Sequence, residues 1–205
     1  METLLSADNL SVNLRYLGIL LCLILSLLVA WKTPNKRDAY HQAACLLFAV
    51  IADYFLLYTE YFLAGIMIFW CAHLCAIRRY RKKLFLPVVI MTAIAGIICC
   101  ILNLAAKNIN ATALLVASAI YAILISTATI STFFYKQAPI NNVCSRLGMC
   151  LFILCDINVV LFNTLPHDVL QYGIASKLMW VFYLPAQILL SVSAYDFKRL
   201  EKFVK

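Results

Sequence analysis

The sequence predicts an all-α fold: a polytopic transmembrane helical bundle of about seven helices, with eight possible, N-terminus out and C-terminus in. Three observations predict it. The 205 residues are 65% hydrophobic and only 13% charged, with a mean hydropathy of +0.92, where soluble domains are roughly 45–50% apolar. Apolar runs of membrane-spanning length follow one another with short polar links between them. Lysine and arginine gather on alternate links, the pattern of the positive-inside rule. The expectation is one transmembrane helical domain over residues 1–205, ending in a short charged tail at 196–205, integral to the cell membrane of a prokaryote.

The first helix is expected at 16–31, extended by Leu14 and Arg15, with Arg15 snorkelling to the interface. The stretch before it carries Glu2 and Asp8 and no basic n-region, and no small-residue cleavage site follows, so it reads as a span and not as a signal peptide. A basic turn over 32–38 contains Pro34 and Asn35. The second helix runs from His41 or Gln42 to Tyr58, Glu60 marks a tight turn, and the third helix covers 62–77. Arg78, Arg79, Arg81, Lys82 and Lys83 close it. The fourth helix, 84–104, has Pro87 in its first turn, where a missing N–H costs little. After a polar loop at 107–110 comes the fifth, 111–134, rich in Ala, Ser and Thr that permit close packing in lipid. A loop over 136–142 with Pro139 precedes the sixth, 143–162. A loop over 163–173 with Pro166, His167 and Asp168 precedes the seventh, 179–195, which Pro185 should bend.

Charge counting orients this arrangement. One side receives the 32–38 loop, the 78–83 cluster, Lys136, Arg146 and the tail; the other receives Arg15, Lys107 and Lys177. The first side is therefore expected to be cytoplasmic. The net charge of +8 is distributed between apolar runs and not along one polar face, which excludes nucleic acid as the natural partner. Anionic lipid headgroups at Arg78, Arg79, Arg81, Lys82 and Lys83 are the expected partners instead. The nine cysteines lie in or beside apolar runs without zinc spacing, and read as small buried hydrophobes. Asn9-Leu10-Ser11 and Asn110-Ala111-Thr112 match a glycosylation pattern on the outer side, a pattern common by chance.

Ionisable groups at membrane depth are costly and by default mark function. Asp53 and Asp156 are the acids inside the expected spans, and His73 the histidine. The alternative for each is packing glue, a side chain hydrogen-bonded to a neighbouring helix. Asp53 lies seven residues from Glu60, and Asp156 seven from Asn163, so both sit about 10 Å below the outer surface. Tyr183, six residues past Lys177, could share that layer, with Gln187 a turn deeper; His73 is deeper still, at about 19 Å. Gly65, Phe69 and His73 share a helix face with Phe62; Gly148, Phe152 and Asp156 share another; Tyr183 and Gln187 a third. Metal binding is not expected, because His41, His73 and His167 fall at different depths. No nucleophile elbow or phosphate-binding glycine loop is present. A retinal Schiff base is excluded by the lack of a lysine inside the seventh helix, Lys177 lying at its mouth.

Four segments in order resemble the lysoplasmalogenase-like YhhN family of multi-pass membrane proteins. Ala52-Asp53-Tyr54-Phe55-Leu56-Leu57 is similar to the family's Gly-Asp segment. Phe62-Leu63-Ala64-Gly65, then Phe69 and Ala72-His73-Leu74, is similar to its Phe…Gly…Phe…His-Leu segment. Gly148 through Phe152 to Asp156 resembles its Gly-Ala…Phe…Ser-Asp segment, and Tyr183-Leu184-Pro185-Ala186-Gln187 its Tyr…Ala-Gln segment. Tyr121 corresponds to a tyrosine of the family's preceding helix. Ala52 stands where the family has glycine and Cys155 where it has serine.

The resemblance implies eight helices and hydrolysis of the vinyl ether bond of a lysoplasmalogen or related lysolipid. The products are a fatty aldehyde and glycerophospho-ethanolamine or -choline, and no cofactor or metal is implied. Asp53 and Asp156 would then be the catalytic pair, one carboxyl giving a proton to the enol ether and the other, ionised, stabilising the cation that water attacks. His73, Tyr183, Gln187, Tyr121, Gly65, Phe69 and Phe152 would orient water, substrate or the aspartates. From the residues alone, two other readings stay open: a small-solute or ion transporter in which the aspartates bind a cation, and a non-catalytic sensor or assembly subunit. The oligomeric state is not readable.

Overall fold

In lipid, every backbone N–H and C=O must find a partner within its own segment, so apolar runs of this length become helices. The computed structural model describes residues 2–105, 110–164 and 170–197. Among them are seven α-helices: α1 (Glu2–Lys32), α2 (Lys36–Tyr58), α3 (Phe62–Tyr80), α4 (Lys82–Ala105), α5 (Asn110–Phe133), α6 (Pro139–Thr164) and α7 (Leu170–Val192). Each contains a stretch long and apolar enough to cross a membrane. The chain is an integral, multi-pass membrane protein, and its helices leave large apolar side chains such as Leu21, Leu86, Met91, Ile123 and Val181 exposed, as lipid contact requires.

The expected number of spans is found, but most helices are longer than hydropathy predicts. α1 begins at Glu2 and not near residue 16, α2 at Lys36 and not at 41, α6 at Pro139 and not at 143, α7 at Leu170 and not at 179. Hydropathy marks only the part of a helix that lipid must surround; the backbone ladder continues through polar residues until something breaks it. Pro139 is the first residue of α6, where no N–H is needed. Pro87, expected in a first turn, lies beyond it, because α4 opens at Lys82. Lys177, expected at a helix mouth, is seven residues inside α7. Asn9 lies within α1 and Asn110 at the head of α5, so neither glycosylation motif occupies a free surface loop. Lys107, Pro166, His167, Asp168 and the tail beyond residue 197 lie outside the described residues.

The helices form two compact units, residues 1–39 with 136–205, and residues 40–135. In the first, α7 packs against both α6 and α1. Ser191 Oγ donates to Cys22 O at 3.0 Å, tying α7 to α1. Val29, Ala30, Ala39 and Ala194 make an apolar cluster backed by Leu25 and Tyr195. Asn141, in the first turn of α6, donates through Nδ2 to the carbonyls of Ser193 (2.6 Å) and Tyr195 (2.7 Å), just past the end of α7. Asn141→Ala removes both bonds and leaves two carbonyls at the end of α7 without this donor. It is expected to cost about 1–3 kcal/mol, read as a lowered thermal midpoint of the purified protein.

In the second unit, α3 packs on α4 and α5, and α4 on α5. Ala113, Ala117 and Ala128 are fully buried. Their lack of bulk lets α3 approach closely enough for Trp70 Nε1 to donate to Ala117 O at 3.2 Å. The basic cluster does not form a loose loop. Its residues straddle the junction of α3 and α4, where only Arg81 departs from helical geometry, at φ −147° and ψ 77°. Arg79 is buried and does not face headgroups: it donates to Gln42 Oε1 and to Tyr80 OH, and lies over the rings of Tyr80 and Tyr135. Arg78 and Arg81 cover Phe85 and Phe134, while Arg81, Lys82 and Lys83 remain exposed. A buried guanidinium needs stacking and hydrogen bonds of this kind to offset its lost hydration.

All nine cysteines are free thiols; Cys22, Cys99 and Cys155 are buried as expected, but Cys100 and Cys150 lie on exposed faces.

Candidate functional site

The residues singled out from the sequence fall in both units, Asp53, Gly65, Phe69, His73 and Tyr121 in one and Gly148, Phe152, Asp156, Tyr183 and Gln187 in the other. Each set has its own geometry.

In the second unit, α2 and α3 touch at Gly65. A Cβ there would lie 2.8 Å from Leu56 Cδ2 and 3.3 Å from Ala52 O. Only a glycine permits this approach, and it fixes the register: Asp53, the next residue after Ala52, lies level with the start of α3. Asp53 is 6% exposed. Along the same face of α3, Phe69 and His73 follow at four-residue steps. Tyr121 of α5 is brought to both of them, its ring 5.8 Å from Phe69 and 5.0 Å from His73. His73 is buried, and its ring stacks over Phe69 at 6.4 Å. Eight residues separate Gly65 from His73, so His73 sits about 12 Å further along α3 than the level of Asp53. The depth separation expected from the sequence is therefore present.

The first unit repeats this plan with different helices. α6 and α7 touch at Gly148, where a Cβ would lie 2.8 Å from Leu190 Cγ and 3.3 Å from Ala186 O. Gln187, the next residue after Ala186, is 2% exposed and level with that glycine. Phe152 follows one turn along α6, against Tyr183 of α7 at 5.3 Å. Asp156, half-buried, ends the ladder another turn on. The antiparallel register of Gly148 with Ala186 and of Phe152 with Tyr183 sets Asp156 level with Leu178 and Met179. It lies about 12 Å along α6 from the level of Gln187. Sequence spacing had put Tyr183 in the layer of Asp156; the observed register puts it one turn away, because α7 packs on α6 from Gly148 and not from the helix mouths.

Both ladders read glycine, phenylalanine, ionisable group at four-residue steps, with a tyrosine ring against the phenylalanine and a buried amide or carboxyl beside the glycine. Two residues missed by sequence reasoning complete the first. Arg15, expected to snorkel to the interface, lies over the Trp180 ring at 4.9 Å, and Trp180 meets Tyr183 edge-on at 5.8 Å. A cation, an indole and a phenol thus follow one another, with Trp180 between the levels of Asp156 and Phe152. Nothing in the spacing of Arg15 and Trp180 announces a contact across 165 positions of the chain. Among the described residues, no group of three or more His, Cys, Asp or Glu side chains could hold a metal ion. Chemically, the two ladders supply carboxyls, an imidazole, phenols and an amide in apolar surroundings, the equipment for proton transfer to an apolar substrate.

The profile of the YhhN family matches residues 14–194, a stretch that contains both ladders. No curated protein and no solved structure matches the chain.

Proposed function

We propose, since this chain belongs to the YhhN family over residues 14–194, that it is a membrane-embedded hydrolase of the vinyl ether bond of a lysoplasmalogen or a related lysolipid. Family membership is the observation that carries this reading. The two polar ladders support it, because they hold acidic groups in apolar surroundings, the medium in which a single-chain lipid is found. Asp53 and Asp156 are the proposed acid–base residues. A carboxyl delivers its proton to the alkenyl carbon remote from oxygen. The carbon next to oxygen becomes an oxocarbenium ion, a carboxylate stabilises it, and water adds to it. The hemiacetal then breaks its C–O bond to release fatty aldehyde and the glycerophospho-alcohol, with the proton returned to the carboxylate. His73, Tyr121, Tyr183 and Gln187 orient water and substrate, while Gly65, Gly148, Phe69 and Phe152 set the helix spacing and the apolar wall.

The test is aldehyde release by purified wild-type protein from a lysoplasmalogen, beside an acyl lysolipid that lacks the vinyl ether. Release from the former alone is the expected result; gradient-driven solute flux without any lipid turnover would favour transport and overturn this reading. Gln187 offers a sharper check. Burying an amide stabilises a fold less than burying an alkyl chain of the same size. Gln187→Leu is therefore expected to leave the thermal midpoint unchanged or raise it, while turnover falls roughly tenfold or more. A loss of stability with unchanged turnover would make Gln187 a packing residue only.

A further inference from the structure

At one end of the first unit lies a polar cavity of about 240 Å³ that the proposed chemistry does not use. Its wall is made of Thr33, Pro34 and Asn35 between α1 and α2, Asp38 in the first turn of α2, Gln137 and Ala138 ahead of α6, Asn141, and Ala194 to Asp196 after α7. Asn141 lies 15 residues from Asp156 on the same helix, about 22 Å by helical rise, so the cavity is a separate place.

The wall is pre-organised. Asp38 N–H donates to Asn35 Oδ1 at 3.4 Å. Gln137 and Asn142 exchange two hydrogen bonds, Gln137 N–H to Asn142 Oδ1 at 3.2 Å and Asn142 Nδ2 to Gln137 O at 3.1 Å. Ala194 belongs both to the wall and to the apolar cluster of Val29, Ala30 and Ala39. The cavity's charge is opposite to that of its neighbourhood. Lys32, Lys36, Arg37 and Lys136 surround it in sequence, yet among the described residues the charged side chains lining it are Asp38 and Asp196. Lys36 Nζ is turned instead onto the Ala30 and Trp31 carbonyls at the end of α1.

Two neutral polar side chains of the wall, Asn141 and Thr33, are deeply buried. Asn141 is 7% exposed, and both hydrogens of its Nδ2 are engaged by the Ser193 and Tyr195 carbonyls. This fixes its orientation and leaves Oδ1 with no donor among the described residues. Thr33 is 2% exposed, and its hydroxyl makes no side-chain hydrogen bond among the described residues. One turn further into α6, outside the cavity wall, Ser145 Oγ is fully buried and has no partner among the described residues. Buried polar atoms are normally satisfied, and those that are not call for a ligand or water.

We propose that this cavity binds a primary ammonium group, with Asp38, Asp196 and the Asn141 amide oxygen as its acceptors. An ammonium has three N–H donors and no acceptor, which matches a wall of two carboxylates and neutral oxygens. A bare hard metal ion fits less well, since it requires six or more oxygens at 2.0–2.6 Å and this cavity is far wider than one ion. The cavity lies where four membrane-length helices begin or end, a position that suits a lipid headgroup. The ammonium could therefore belong to an aminophospholipid or to a small free amine, and the experiment separates the two. The proposal is independent of the hydrolase reading.

The full-length protein is reconstituted in nanodiscs of phosphatidylcholine alone or with phosphatidylethanolamine, and thermal midpoints are read with added ethanolamine, choline or Mg²⁺. Two results support the proposal: protection by free ethanolamine but not choline, which identifies a soluble amine, or protection by phosphatidylethanolamine alone, which identifies a headgroup. In either case Asp38→Asn with Asp196→Asn is expected to weaken binding at least tenfold. Equal protection by choline, protection by Mg²⁺ only, or no shift with any of them overturns it. These comparisons are made on the wild type, so a poorly folded variant does not rescue or sink the result.

Discussion

Asp53→Asn and Asp156→Asn are each expected to lower aldehyde release from a lysoplasmalogen by roughly 10²–10⁴-fold, the range that general acid–base catalysis contributes. Asparagine has nearly the shape of aspartate and keeps an oxygen and a donor, but it can neither give up a proton at the needed rate nor carry the negative charge that stabilises an oxocarbenium ion. Asp53 is 6% exposed, beside the Gly65 contact of α2 with α3. Asp156 is half-buried at the end of the α6 ladder. Neither change alters side-chain volume, so the thermal midpoint should hold while turnover is lost. That split distinguishes catalysis from packing glue: an aspartate that merely joins helices would lose stability and keep its rate. Full activity in either variant removes that residue from the chemistry, and full activity in both ends the acid–base assignment, whatever substrate is turned over.

The next largest effect is expected at the two helix crossings. Gly148→Ala adds a Cβ 2.8 Å from Leu190 Cγ, 3.0 Å from Leu190 Cδ2 and 3.3 Å from Ala186 O. Gly65→Ala adds one 2.8 and 2.9 Å from Leu56 Cδ2 and Cγ, with Ala52 O at 3.3 Å. These distances are too short to persist. The leucine side chain must turn aside in each case, and with a backbone oxygen also close at 3.3 Å the helices are expected to shift by a few tenths of an ångström. Overpacking of this kind costs about 1–3 kcal/mol. Separation at Gly148 shifts Gln187, and at Gly65 it shifts Asp53, so turnover is expected to fall with stability. Gly173→Ala is the matched control: nothing lies within 4 Å of its Cβ position, and alanine favours a helix by about 1 kcal/mol over glycine. Adding Leu190→Ala to Gly148→Ala should recover part of the loss, a coupling that a double-mutant cycle measures. A Gly148→Ala protein as stable as Gly173→Ala would show that α6 and α7 do not meet there.

Much of the candidate site was legible because helical spacing is local. Gly65, Phe69 and His73 had to share a face of one helix, as did Gly148, Phe152 and Asp156, and both faces are observed. The family resemblance made Tyr121 and Tyr183 legible as site residues, though not their contacts with His73 and Phe152. Arg15 over Trp180 was not, and neither was Arg79, read as a headgroup contact and found between Tyr80 and Tyr135. A basic side chain near a membrane boundary looks the same in sequence whether it faces lipid or an aromatic ring, because hydropathy counts its charge and not its neighbours.

Seven spans, their order and the residues on each helix face follow from composition and period alone, since lipid as solvent leaves an apolar run of about 20 residues almost no choice but a helix. Helix ends, the register of α7 on α6, and the polar cavity around Asn141 do not follow from them. These depend on where two surfaces first touch, and the glycines at 65 and 148 set that contact by the absence of a single carbon atom. Hydrophobic burial is indifferent to sliding one apolar helix along another; close packing is not.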